Sequence, residues 1–76
     1  MSKKAERHFN RSIEIAEKIQ AKVTLGMAYL NLGVLYKFKR KRAKARDCFA
    51  EAIEVFEHCD VDIYANQAKE ALASLG

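Results

Sequence analysis

An all-α fold of antiparallel helical hairpins is what this 76-residue sequence predicts, and three observations carry the prediction. There is no proline, and no stretch shows the apolar–polar alternation of a strand. Tyr29, Leu32, Gly33, Tyr36, Ala45, Phe49 and Ala52 set large beside small residues at helical intervals, as two closely crossing helices require. The chain also repeats itself. Shifted by forty positions it matches Lys4 to Lys44, Ala5 to Ala45, Phe9 to Phe49, Ile13 to Ile53, Glu14 to Glu54 and Glu17 to Glu57. Ala28 then meets Ala68, Leu32 meets Leu72 and Leu35 meets Leu75, giving nine identities in 36 pairs, several times what unrelated sequence would show.

Four helical stretches follow. The first, about 3–19, gathers Ala5, Phe9, Ser12, Ile13 and Ala16 on one face. The second, about 22–38, carries the Tyr–Leu–Gly–Tyr pattern. The third, about 43–58, repeats the first through Ala45, Phe49, Ala52, Ile53 and Phe56. The fourth, about 62–75, repeats the second through Ala65, Ala68, Leu72 and Leu75. Asp60 or Asp62 is the candidate N-cap of the fourth, and Gly76 its C-terminal stop.

Between the second and third stretches the sequence leaves two readings open. No glycine, proline or asparagine occurs from Val34 to Arg46, and the residues there are mostly good helix formers. In the first reading the chain turns at Arg40, at a cost of about 1–2 kcal/mol for a left-handed arginine. In the second, helices two and three fuse into one rod and take their partners from a second chain, as a domain-swapped dimer.

Seven of the fourteen cations fall within residues 37–46: Lys37, Lys39, Arg40, Lys41, Arg42, Lys44 and Arg46. Without them the net charge of +4 becomes −3, so the basicity is local. This basic patch is either a solvated turn or an electrostatic contact to an acidic protein, nucleic acid or membrane surface. Lys39–Arg40–Lys41–Arg42 also resembles a short nuclear-import signal. No series of stacking aromatics or nucleic-acid fold motif accompanies it.

The remaining chemistry is sparse. Glu14–Glu17 and Glu51–Glu54–Glu57 have the spacing of solvated helix faces. No phosphate loop, nucleophile elbow, metal-binding or cofactor motif is present, so the chain reads as a non-enzyme with no cofactor or metal. Cys48 and Cys59, about 16 Å apart along one helix, are too distant for a disulfide. With no apolar run of membrane-spanning length and no apolar stretch behind the charged N-terminus, the chain reads as cytoplasmic.

The Leu32–Gly33 pair between Tyr29 and Tyr36, followed by Ala45, Phe49 and Ala52, resembles the tetratricopeptide repeat (TPR), a 34-residue helix–turn–helix unit. Closer similarity is to the C-terminal repeats of large bacterial signalling ATPases and nucleotide-cyclase-like proteins. It rests on Ala28–Tyr29–Leu30–Asn31–Leu32–Gly33, Ala50 to Glu57, and Gln67 to Leu72. Arg40 replaces the usual inter-helix glycine and Glu57 the usual late proline.

The resemblance implies a single domain over 1–76, with one complete repeat at 26–59 between two half-repeats. It implies a non-catalytic protein–protein interaction scaffold whose unmatched faces favour a homodimer. It also implies a partner-binding groove at Met27, Leu30, Asn31 and Val34, ending at Lys37 and Phe38. Gln67, Glu70, Ala71 and Ser74 supply the matching positions on the last helix. Chaperone-tail receptors of the family keep lysine, asparagine and arginine where this chain has Leu30, Val34, Gln67 and Ala71, so a different protein or peptide partner is implied. The alternative function is a basic helical adaptor for nucleic acid or acidic surfaces through residues 37–46.

Overall fold

The computed structural model describes residues 3–75, with side chains for residue 7 and residues 10–75. Ala5, Phe9 and Gly76, named above for a helix face and a helix stop, lie outside the described side chains. Three helices and no strand make up the described residues: α1 (Lys3–Phe38), α2 (Arg42–His58) and α3 (Asp62–Ala73). The fold is all-α.

The first correction concerns α1. Stretches 3–19 and 22–38, expected as separate helices, form one helix of 36 residues. Ile19–Gln20–Ala21–Lys22 contains no helix breaker, and a reversal there would gain little. Where α2 offers Ala52 and Phe56, the equivalent positions hold Ser12 and Ala16, so the second large anchor is missing. With no second ring to bury, propensity decides and the helix runs on.

At residues 39–41 the balance is opposite. α1 ends at Phe38, and α2 returns antiparallel along its C-terminal half. Two contacts fix that crossing. A Cβ built on Gly33 would lie 2.5 Å from Cε1 of Phe49, and one built on Gly26 would lie 2.6 Å from Cε1 of Phe56. Each glycine is therefore the floor of a socket that takes one ring, and both rings are wholly buried. Burying each is worth about 1.5–3 kcal/mol, enough to hold Arg40 in the left-handed region at φ 59°. The helices expected to be separable at Arg40 are thus separate, and no fused rod over 22–58 is seen.

The two turns are built alike. Arg40 N–H donates to the Lys37 carbonyl and Lys41 N–H to that of Tyr36; Asp60 N–H donates to Glu57 and Val61 N–H to Phe56. This pairing, with a left-handed residue at Arg40 and at Asp60 (φ 56°), is the Schellman ending of a helix. The expected cap for α3 is corrected accordingly. Asp60 terminates α2 instead, the N-cap of α3 is Val61 without a side-chain hydrogen bond, and Asp62 lies in the first turn of α3. There its charge favours the helix dipole.

α3 packs on α2 through Ala65 and Ala68, which join Ala52 and Phe56 in the core. Tyr64 meets the Phe56 ring at 5.5 Å between centroids. The Glu57–Lys69 ion pair, 2.9 Å but half exposed at both ends, adds at most about 1 kcal/mol. Val23, Met27, Tyr29 and Leu30 of α1 close the cluster from the other side. Leu32 does not join it. It is 38% exposed, and Leu25 and Leu35 are exposed as well.

Two stability outcomes follow from the sockets and the turns. Gly33→Ala destabilises by about 1–3 kcal/mol through overpacking, although alanine is the better helix former by about 1 kcal/mol. Combining it with Phe49→Leu recovers part of the loss in urea unfolding; a neutral single variant would refute the socket. Arg40→Gly stabilises by about 1 kcal/mol, and Asp60→Gly by less, because aspartate tolerates the left-handed region better than arginine. Thermal melts rank the two.

Candidate functional site: the groove between the first and last helices

α3 runs alongside the C-terminal half of α1 with α2 behind both, which leaves a groove between α1 and α3. Val34, Lys37 and Phe38 of α1 face Ala71 and Ser74 of α3 across a cavity of about 400 Å³, with Arg40 and Phe49 completing its wall. The residue spacing explains the wall. Val34 and Phe38 lie one turn apart beside the Gly33 socket, so the buried Phe49 ring also reaches the groove. Phe38 is 85% exposed, an unusual position for a phenylalanine at a helix end.

One hydrogen-bonded link ties the groove's two sides. Lys37 Nζ donates to Ser74 Oγ at 2.9 Å, and Ser74 Oγ donates to the Ala71 carbonyl at 2.6 Å. Beyond it, Lys37, Arg40 and Arg42 surround a neighbouring cleft with Ser74 and Leu75. Arg42 and Arg46 line another with Leu72 and Leu75. The groove therefore has an apolar floor and a cationic end.

The structure divides the groove residues named from sequence. Val34 lines the cavity, as do Lys37, Phe38, Ala71 and Ser74. Met27 and Leu30 are instead partly buried against the α2–α3 core cluster. Asn31, Gln67 and Glu70 are exposed. Sequence reasoning missed Arg40 and Phe49 as groove residues. The signal was available, because Phe49 pairs with Gly33 and Gly33 precedes Val34.

All seven cations of the basic patch are exposed. Among the described residues none of them forms an ion pair. Lys44 Nζ sits 5.6 Å from the centroid of the Tyr36 ring, so Lys44 turns toward α1 while Lys37, Arg40, Arg42 and Arg46 converge near the end of α3. These cations favour the C-terminal dipoles of α1 and α3 and oppose the N-terminal dipole of α2, which has no acidic residue in its first turn. The patch is electrostatically costly to α2, which carries Arg42, Lys44 and Arg46 of it.

Cys48 is buried on the inner face of α2, and Cys59 is half-buried at the second turn. Burial pushes the Cys48 thiol above its ordinary pKa, and the Asp47 and Glu51 carboxylates add to the shift. Among the described residues no helix is long and apolar enough to cross a membrane.

Comparison with protein-family models, with curated proteins and with solved structures returned no match to this chain.

The raised Cys48 pKa leaves less thiolate at any given pH, and its burial shields what forms. At pH 8, iodoacetamide therefore alkylates Cys59 first, with Cys48 following only as the fold opens. Equal rates in a mass-spectrometric time course would mean that α2 does not hold its inner face closed.

Proposed function

We propose that this chain is a TPR-like, non-catalytic protein–protein interaction scaffold that takes an extended peptide in the α1–α3 groove. The observation that carries the reading is the cavity walled by Val34, Phe38 and Ala71 and ended by Lys37, Arg40 and Arg42. Apolar walls accept one or two aliphatic or aromatic side chains, and the cationic end accepts a carboxylate beside them. The partner class is thus an apolar peptide with an adjoining acidic group. Asn31, exposed on the same helix, offers both a donor and an acceptor to a passing backbone.

Self-association belongs to the same reading, since the chain leaves Ile13, Ile15, Ile19, Leu25, Leu32 and Leu35 exposed. We read it as association of intact chains rather than a swap at Arg40, because the turn already has both its hydrogen bonds, from Arg40 N–H and Lys41 N–H. A second reading, the basic adaptor for nucleic acid or acidic surfaces, is favoured by one observation: the seven exposed cations at 37–46.

Selection of random displayed peptides on the wild type, counter-selected on Val34→Glu, tests the groove. Recovered peptides carry an apolar residue next to an acidic one. Their binding weakens about tenfold or more in Phe38→Ala and Lys37→Ala, as expected for an anchor and its charge partner. Peptides that bind Val34→Glu equally well would refute the groove. Low-salt DNA retardation abolished by Arg40→Glu/Arg42→Glu, with no peptide recovered, would transfer the function to the adaptor reading.

A further inference from the structure

α1 carries more contact surface than its own chain uses. The residues of α1 that meet α2 recur at alternating intervals of three and four: Val23, Gly26, Leu30 and Gly33. The same spacing continues toward the N-terminus through Ile19, Ala16 and Ser12, so one seam runs along the helix. The sequence extends it through Phe9 and Ala5, which lie outside the described side chains. The register that sets Gly26 against Phe56 and Gly33 against Phe49 puts Cys59 level with Val23. α2 therefore ends there, and residues 10–21 of α1, all exposed, lie beyond it. Ile13, Ile15 and Ile19 on this stretch are 55%, 52% and 45% exposed, and Ser12 and Ala16 are exposed between them.

Resting on the self-association proposed above, we infer that the N-terminal half of α1 is an antiparallel homodimerisation seam whose occupant is the same segment of a second copy. Three features of the chain select that occupant. First, the segment repeats α2. Positions 12, 16 and 19 correspond to Ala52, Phe56 and Cys59 under the forty-residue shift, and α2 is the helix that occupies the rest of this seam. Second, the lengths agree. An antiparallel copy that spans residues 3–22, and stops short of α2, places the twofold axis between residues 12 and 13. Of the registers the heptad spacing allows, the one centred closest, at residue 14, sets Ser12 against Ala16 of the partner subunit. Two small residues meet at the axis and permit close approach, with Ile13 and Ile15 closing the flanks. Third, the charges choose the direction. Residues 3–11 hold Lys3, Lys4, Arg7 and Arg11 against Glu6, whereas 12–22 balance Glu14 and Glu17 with Lys18 and Lys22. A parallel pair stacks the basic ends on each other; the antiparallel pair sets each beside a neutral half and opposes the helix dipoles. The interface is isologous and closes at two chains.

The architecture has a distinctive size. The single chain is 57 Å long, and two rods overlapping only through their N-terminal halves reach about 80 Å at 1.5 Å per residue, with a three-helix bundle at each end. Small-angle scattering and sedimentation equilibrium on the full chain test this. The wild type is a dimer of that length. Ala16→Glu sets two carboxylates at the seam and weakens the dimer by about a hundredfold or more, while Ala16→Ser, which keeps the small size, retains it. Ile63→Glu, at an exposed site on α3, leaves the mass unchanged. Urea unfolding of the monomeric Ala16→Glu chain shows that its bundle remains folded. A dimer that survives Ala16→Glu, or one no longer than a single chain, overturns the seam but leaves self-association standing. A monomer at every concentration overturns both, and leaves peptide binding to be judged by its own experiment. Assemblies that grow beyond two chains and are dispersed by Leu32→Glu assign association to the Leu25–Leu32–Leu35 face and overturn the seam.

Discussion

Two phenylalanine rings seated on two glycines hold this molecule together. Gly26 and Gly33 lie seven residues apart on α1, as Phe49 and Phe56 do on α2, so antiparallel helices bring both pairs together at once. Each glycine removes the one atom that would collide with a ring, and each ring fills the space so opened. The contact is demanding in both directions: a larger residue at 26 or 33 overlaps the ring, and a smaller one at 49 or 56 leaves a void. Everything downstream inherits its position from this crossing. α3 packs on the far side of Phe56, and the groove wall includes the edge of Phe49.

The same crossing explains where the chain bends and where it does not. A left-handed residue costs about 1–2 kcal/mol unless it is glycine, and the chain accepts that cost at Arg40 and Asp60. Both reversals bring helices together over well-filled contacts. Gln20 occupies the corresponding place twenty residues earlier and stays helical, since Ser12 and Ala16 offer no second large side chain to bury. Strain is thus tolerated where burial exceeds it, which leaves α1 as a long helix with its C-terminal half packed and residues 10–22 exposed.

Much of this was legible in the residues. The all-helical class, the α2 core of Ala45, Phe49, Ala52 and Phe56, and the approach of Phe49 to Gly33 follow from spacing and size alone. Gly26 was equally visible, yet its partnership with Phe56 emerges only when the helix register is known. The helix runs through 19–22 although the internal repeat suggests a turn there, because the repeat conserves periodicity without conserving the anchors that make a turn worthwhile. Asp60, one of two candidate caps for the last helix, ends α2 instead, since both roles favour the same short polar side chain. At the groove, Val34 and Phe38 could be placed from sequence. Met27 and Leu30 could not, because a helix of this amphipathic width does not reveal which edge of its stripe a neighbour covers.

An unbroken α1 has a geometric consequence. In a helix each residue adds about 1.5 Å of rise and about 100° of rotation, so no joint between residues 3 and 38 can absorb a mismatch. The azimuth of the N-terminal isoleucines relative to Val34 and Phe38 is therefore set by residue count. One codon inserted near Gln20 would turn one end by more than a quarter of a revolution against the other, while seven would restore the phase almost fully. The helix acts as a keyed shaft, and its length is as much a specification as its side chains.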